Sequence, residues 1–146
     1  MKIRFKKDHV LVISSWLVHL SGIPSGIPEH ARAAAFFPFI FVRSEDVVEP
    51  WLINHELIHF KQQLETLFIG LLTLKIIESL YAAVILKKSR PERYIWHASE
   101  QEAYRNQNDP DYLNHRKTWS LFCYIRDKRQ FTFGKPGEII FTDTTQ

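Results

Sequence analysis

The stretch His55-Glu56-Leu57-Ile58-His59 lies in a long segment without proline, and the fold can be worked out from it. An α-helix has 3.6 residues per turn, so the two histidines share a face and can present both imidazoles to one cation. The glutamate lies roughly 100° around the helix from the first histidine, which brings its carboxylate beside such a cation. This spacing is typical of zinc sites in which the glutamate is the general base. The stretch therefore predicts a helix, a metal site and hydrolytic chemistry together.

A catalytic zinc ion needs a third protein ligand and one open position, and the segment Glu100–Tyr104 (E-Q-E-A-Y) offers two carboxylates. Glu100 and Glu102 lie about 200° apart on a helix, so only one of them can face the metal. Glu100 shares the more apolar face, on which Ala103 allows another helix to approach closely, and amphipathic placement favours it. Glu102 stays open as the alternative ligand, since Asn106, four residues later, can form a hydrogen bond that supports a metal-binding histidine.

A hydrolase of this kind also needs a group beside the metal that stabilises the oxyanion. Tyr112 and Arg116, four residues apart on the predicted last helix, are the candidates for that role. Gln63 follows His59 by four residues and offers an amide that can orient a ligand, although an ordinary solvated glutamine fits it equally well. The predicted catalytic set is therefore Glu56 as general base, with Tyr112 and Arg116.

The segments His55–Gln63 (H-E-L-I-H-F-K-Q-Q) and Glu100-x-x-Ala103 resemble a minimal bacterial gluzincin, a zinc metallopeptidase with H-E-x-x-H on one helix and a glutamate ligand on a later one. They also resemble CAAX-processing membrane zinc proteases, whose E-x-x-A-D element binds zinc through its first glutamate. The sequence departs from that element at Tyr104, where the family has an aspartate that supports a zinc-bound histidine. The resemblance implies one zinc ion, a metal-activated water and a peptide or protein substrate.

Two other functions stay open from the sequence. A zincin scaffold can serve a non-catalytic protein that binds zinc or a membrane surface. It can also serve a zinc hydrolase of non-peptide amides or esters. Zinc without turnover would indicate the first, and substrate profiling would identify the second.

The rest of the chain predicts an α+β fold. Apolar stretches rich in β-branched and aromatic residues predict strands, and the stretch from Trp51 to Leu86, which only Gly70 interrupts, predicts one or two long helices. Pro38 suits an edge strand that precedes the active-site helix and can pair with an extended substrate, although a buried aromatic strand that only packs fits the segment equally well. The remaining predictions are strands over Lys2–Phe5, Val10–Val18 (or a short helix) and Phe37–Arg43, a loop over Ser21–Pro28, a helical turn over Glu29–Ala35, helices over Tyr94–Asn108 and Tyr112–Lys128, and a hairpin over Phe131–Phe141. We expect a mostly helical, zincin-like metallopeptidase domain over residues 1–141, with a small N-terminal sheet, and a polar tail over 142–146.

Composition excludes several classes of protein. A chain of 146 residues that is 45% hydrophobic and 24% charged fits one packed domain and not a disordered chain. Its one cysteine, Cys123, excludes a disulfide scaffold and a cysteine-rich zinc module, so imidazole and carboxylate must hold any metal. The net charge of +3 forms no basic face and accompanies no nucleic-acid signature, so we expect no nucleic-acid partner.

The segment Leu64–Leu86 raises the question of a membrane, because its 23 residues are mostly apolar and long enough for a span. Glu65, Lys75 and Glu78 count against a span, since charged groups are costly in a bilayer. The basic residues of Lys87–Arg93 suit an anionic lipid surface. A buried core helix, an interfacial helix and a span all stay open. We expect a cytoplasmic protein, with peripheral membrane contact through Leu64–Leu86 and Lys87–Arg93 if the helix is interfacial.

Overall fold

A computed structural model describes residues 1–22, 32–134 and 138–142 of the chain. They form a four-stranded sheet, a group of helices and a separate two-stranded hairpin, so the predicted α+β fold is confirmed. The strands are β1 (Lys2–Phe5), β2 (Val10–Ile13), β3 (Ala33–Phe36), β4 (Phe39–Val42), β5 (Gln130–Phe133) and β6 (Ile139–Thr142). The helices are α1 (Ser15–Gly22), α2 (Pro50–Glu65), α3 (Ile69–Val84), α4 (Arg90–Trp96), α5 (Ala98–Asn106), α6 (Tyr112–His115) and α7 (Leu121–Arg126), with one 3-10 turn at Glu45–Val47.

The four-stranded sheet supports the helix that carries the H-E-x-x-H motif. Its order is β1-β2-β4-β3, with β2 and β4 parallel and the two outer pairs antiparallel. Leu11, Ile40 and Val42 lie buried on its inner face, where they pack with Leu52 and Phe60 of α2. Burying each such side chain contributes roughly 1.5–3 kcal/mol, so this contact fixes α2 against the sheet.

The segment Phe37–Arg43 contains the predicted strand, β4, but the prediction that it lies at the edge of the sheet is wrong. β4 pairs with β2 on one side and with β3 on the other, and Pro38 lies in the two-residue turn that precedes it. Pro38 therefore removes no hydrogen bond from the ladder, which is why a central strand can follow it. The edge nearest to α2 is β3.

The remaining N-terminal predictions are partly correct. The strand over Lys2–Phe5 is confirmed. The segment Val10–Val18 divides into β2 and the first turn of α1, so the strand and helix alternatives each apply to one part. The helical turn over Glu29–Ala35 is wrong where β3 begins, because pairing with β4 overrides the local helical preference of alanine. The loop over Ser21–Pro28 lies outside the described residues from position 23 onward, as do positions 29–31.

The helical segment from Trp51 to Leu86 is two helices set at 107° to each other. The break falls at Leu67 and Phe68, whose φ angles are 52° and 61°, and not at Gly70. A left-handed conformation costs a residue other than glycine about 1–2 kcal/mol. The Phe68 N–H offsets part of that cost by donating to the Gln63 carbonyl at 2.8 Å.

Within the described part of the chain, no single helix is long and apolar enough to cross a membrane. The bent pair of α2 and α3 meets that criterion only when both helices are counted together.

Both later helical segments are interrupted. The helix predicted over Tyr94–Asn108 is divided at His97, whose ψ of 136° lies outside the helical region. The helix predicted over Tyr112–Lys128 is wrong between α6 and α7, where Trp119 has a φ of 65°. The hairpin over Phe131–Phe141 is confirmed by β5 and β6, and its turn residues 135–137 lie outside the described residues.

Candidate metal centre

His55, His59 and Glu100 converge where α2 packs on α5. One ligand atom from each residue lies within 4.8 Å of the other two, and all three side chains are buried. Glu100 Oε2 lies 3.6 Å from His55 Nε2, and Glu100 Oε1 lies 3.4 Å from His59 Nε2. Two ligands of a tetrahedral ion, each about 2.1 Å from it, are about 3.4 Å apart. These three side chains can therefore hold one metal ion.

Amide oxygens orient both histidines from the side that faces away from Glu100. His59 Nδ1 donates to Gln62 Oε1 at 2.7 Å, and His55 Nδ1 donates to Gln107 Oε1 at 2.9 Å. An amide oxygen can only accept, so each Nδ1 carries a hydrogen, and in the neutral ring each Nε2 keeps its lone pair. Metal-binding histidines have this arrangement, since the Nδ1 hydrogen bond fixes the tautomer and the ring orientation.

Glu100 has an oxygen free to bind a cation. Its carboxylate is 1% exposed, and Oε2 has no hydrogen-bond partner among the described residues. Its other oxygen, Oε1, accepts from Lys75 Nζ at 3.0 Å. Burial raises the pKa of Glu100, but the Lys75 ammonium and His59 outweigh it and hold that pKa well below its usual range. A buried carboxylate oxygen without a donor is costly, and a bound cation would remove that cost.

Glu56 lies next to this group without belonging to it. Its side chain is buried and lines the same cavity as His59 and Glu100. Burial raises the pKa of Glu56, and His55 and His59 oppose that rise when their rings are protonated. A carboxylate whose pKa is raised toward the working pH is suited to accept a proton and return it.

A cavity of about 300 Å³ leads to the ligands. Its lining is mostly apolar and comes from β3, the bend before α3 and α3 itself, while Lys75 and Tyr94 supply polar atoms. Gln63 joins α2 to the edge strand here, because its Nε2 donates to the Ala35 carbonyl at 2.8 Å and its Oε1 accepts the Phe37 N–H at 2.9 Å. Gln63 thus binds the sheet edge and not a metal ligand.

Glu102, Tyr112 and Arg116 form a second buried cluster. Glu102 accepts from Arg116 Nε at 2.6 Å, from Tyr112 Oη at 2.9 Å and from Gln62 Nε2 at 2.8 Å. Arg116 also pairs with both carboxylate oxygens of Glu65, at 2.5 and 3.0 Å. Both oxygens of Glu102 are therefore already bound by donors.

The structure brings Glu100, and not Glu102, to the two histidines. Among the described residues, Gln62 alone bridges Glu102 to a ligand, His59, by hydrogen bonds. Tyr112 and Arg116 are not brought to the ligands, and neither is among the described residues that line the cavity. Their placement gives them no contact with a substrate bound there.

Tyr104 stands where the resembled proteases have a supporting aspartate, and its ring packs edge-on against His55 with centroids 4.7 Å apart. Gln107, just after α5, supports that histidine instead. Asn54 fixes the segment by donating to the carbonyls of Gln107 and Asp109 at 2.9 and 2.8 Å. The group that supports His55 is thus an amide from just beyond α5.

The sequence prediction missed Gln62 and Gln107. Gln62 follows His59 by three residues, so helical spacing could have identified it as readily as it identified Gln63. Gln107 lies beyond the end of α5 and contacts a residue 52 positions earlier, so no local pattern points to it.

No family model, curated protein or solved structure matches the chain. The chemistry of the site therefore has to be inferred from its own residues.

Proposed function

We propose that this protein is a zinc-dependent metallopeptidase in which His55, His59 and Glu100 hold one zinc ion and Glu56 is the general base. The observation that carries the proposal is the convergence of three buried ligand atoms, with both Nε2 lone pairs directed inward. Two imidazoles and one carboxylate are a ligand set that catalytic zinc takes, with a fourth position left for water or substrate. The resemblance of the motif pair to gluzincins supports the same assignment.

The chain's own residues would divide the chemistry as follows. A bound zinc ion would supply a Lewis acid and lower the pKa of a water toward about 7. Glu56 takes a proton from the attacking water and gives it to the leaving amine as the C–N bond breaks. Lys75 lines the cavity beside Glu100, so its ammonium offsets negative charge that develops on the carbonyl oxygen.

The cavity favours a peptide or protein substrate with an apolar side chain near the cleaved bond. Its walls include Ala33–Phe36, Leu71 and Leu72, which bury apolar groups and offer them few hydrogen bonds. β3 also forms the cavity wall as an edge strand, where an extended chain can add by backbone hydrogen bonds beyond the part that the Gln63 amide occupies. Substrate would thus lie between β3 and α3.

Metal analysis and one variant test the proposal. Purified protein should contain about one zinc per chain, and Glu56→Gln should keep the zinc while losing hydrolysis of a mixed peptide library by about 100-fold or more. Glu49→Gln is the matched control, because Glu49 is exposed just before α2 and should leave hydrolysis unchanged. Absence of zinc, or full hydrolysis by Glu56→Gln, would refute the proposal. Bound zinc without turnover would indicate the non-catalytic function. Turnover of esters or non-peptide amides, without peptide hydrolysis, would indicate the zinc hydrolase of non-peptide substrates.

A further inference from the structure

The outer face of α3 is apolar. Residues three and four apart share a helical face, and the exposed positions of α3 recur at these intervals. They are Ile69, Gly70, Leu72, Thr73, Ile76, Ile77, Leu80, Tyr81 and Val84. Only Gly70 and Thr73 among them lack an aliphatic or aromatic side chain, and the exposed fractions reach 77% at Ile69 and 68% at Val84. A surface helix of a globular protein normally shows the opposite pattern, with charged residues outside.

The charged residues of α3 face inward instead. Lys75 donates to Glu100 at 3.0 Å, and Glu78 accepts the Ala98 N–H at 3.0 Å and also pairs with Lys128. Lys75 and Glu78, two of the three charges that count against a span in the sequence, therefore have partners within the protein. The exposed surface of α3 carries no charge that a bilayer would have to accommodate.

A group of cations lies just beyond the C-terminal end of this face. Lys87 and Arg90 are exposed and Arg93 is half-buried. None of the three forms an ion pair with a carboxylate of the described residues. Lys88 is not part of the group, because its Nζ lies over the Trp96 ring at 4.8 Å.

We propose that the outer face of α3, together with Lys87, Arg90 and Arg93, docks on an anionic lipid surface. The apolar side chains would enter the boundary between headgroups and acyl chains, about 5–10 Å deep, while the cations meet anionic headgroups. A second copy of this chain is the weaker candidate. It would present the same apolar face and the same unpaired cations, and the exposed positions of α3 include no acidic group to balance them.

Docking would place the metal centre at the membrane surface. Ile69 and Leu72 belong both to the outer face of α3 and to the wall of the cavity that reaches the ligands. The cavity would thus open beside the bilayer. Docking needs neither bound zinc nor hydrolysis, so its test is independent of the proposed peptidase activity.

Flotation with vesicles tests the docking. The protein should float with phosphatidylcholine vesicles that contain phosphatidylglycerol and bind pure phosphatidylcholine about tenfold or more weakly. Ile77→Glu should reduce binding by about tenfold or more, because it places a charge in the apolar face. Ile3→Glu is the matched control on β1, where Ile3 is 49% exposed against 59% for Ile77. It should bind like the wild type.

The cations are tested in the same assay. Neutralising Lys87 and Arg90 to glutamine should weaken binding to the anionic vesicles by about 25-fold, since each cation near such a surface contributes roughly fivefold. Neutralising Lys6 and Lys7, which are also exposed, is the matched control and should have a smaller effect. Equal losses in the two pairs would overturn the role of the cluster.

A labelling experiment avoids any folding defect of the charged variants. In a Cys123→Ser background, an environment-sensitive fluorophore on Ile77→Cys should shift to the blue with anionic vesicles, and one on Ile3→Cys should not. No flotation by the wild type, or equal shifts at both positions, would overturn the proposal. So would a dimer in light scattering that Ile77→Glu dissociates without any vesicle binding, since that result assigns the face to a second copy.

Discussion

Glu100 and Glu102 are two residues apart and both buried, yet their removal should have opposite consequences. We predict that Glu100→Gln loses metal binding and that Glu102→Gln loses stability. Glu100 supplies one of three ligand atoms, with oxygens 3.4 and 3.6 Å from the two Nε2 atoms. Glu102 instead holds Arg116, Tyr112 and Gln62 by hydrogen bonds.

The structure sets the size of each effect. Loss of a residue that only orients a metal ligand weakens binding by about 10–100-fold, so loss of the Glu100 carboxylate itself should exceed about 100-fold. Glu102 is fully buried and forms an ion pair with the Arg116 guanidinium. Removing one partner of such a buried pair costs about 3–5 kcal/mol of stability. Glu65 also pairs with Arg116, so the lower end, about 3 kcal/mol, applies.

Two assays separate these effects. Competition with a chromogenic chelator measures zinc affinity, and urea unfolding in excess chelator measures the free energy of unfolding without metal. Glu102→Gln should keep its zinc affinity within about tenfold, because it touches the ligands only through Gln62. Retained affinity in Glu100→Gln, or an affinity loss as large in Glu102→Gln, would refute the assignment of the third ligand.

Three further predictions concern the support of the site and the response to metal and acid. Gln62→Met and Gln107→Met each remove the acceptor of one ligand's Nδ1, so each should weaken zinc binding by about 10–100-fold in chelator competition. Zinc at about a thousandfold above its Kd should stabilise the metal-free protein by about 4 kcal/mol, seen as a higher Tm in scanning calorimetry that chelator reverses. Burial, with the charge of Lys75, lowers the pKa of His97 to about 3, so the folded state favours the neutral ring. The unfolded state therefore binds more protons between about pH 6.5 and 3. The free energy of unfolding falls by up to about 1.4 kcal/mol per pH unit as the pH drops through that window. His97→Gln should reduce this pH dependence, measured by urea unfolding.

Each of these predictions has a control or a contrary outcome. Gln130→Met replaces an exposed glutamine on β5 and should leave zinc affinity unchanged. An equal loss of zinc affinity in Gln130→Met would contradict the role of Gln62 and Gln107 in orienting the histidines. An unchanged Tm with zinc would contradict a metal site coupled to folding. Equal pH slopes in the wild type and His97→Gln would show that other groups carry the acid sensitivity.

The two histidines and Glu100 could be predicted because each depends on local helical geometry. His55 and His59 share a face by spacing, and the amphipathic pattern around Glu100 favours it over Glu102. The support from Gln107 could not be predicted, since it depends on how the end of α5 packs against α2, and no spacing rule reaches across 52 residues.

The fold shows the same division between local and long-range information. Helices and strands follow from periodicity, but strand order depends on pairing between distant segments, so β3 and not β4 is the edge. The bend before α3 falls at Leu67 and Phe68, whose positive φ angles contradict their local preferences. In the sequence, Lys75 and Glu78 count against a membrane span. Only the fold shows that both side chains face inward and leave the outer face of α3 uncharged.

Gln63 also has a consequence for self-assembly. By binding the Ala35 carbonyl and the Phe37 N–H, its amide occupies part of an edge that another strand could otherwise extend. The opposite edge, β1, carries Lys2 and Arg4, whose charges disfavour stacking of a second chain. Both edges of the sheet are thus partly protected against fibril growth, although Ala33–Phe36 is an uncharged strand of the kind that aggregates.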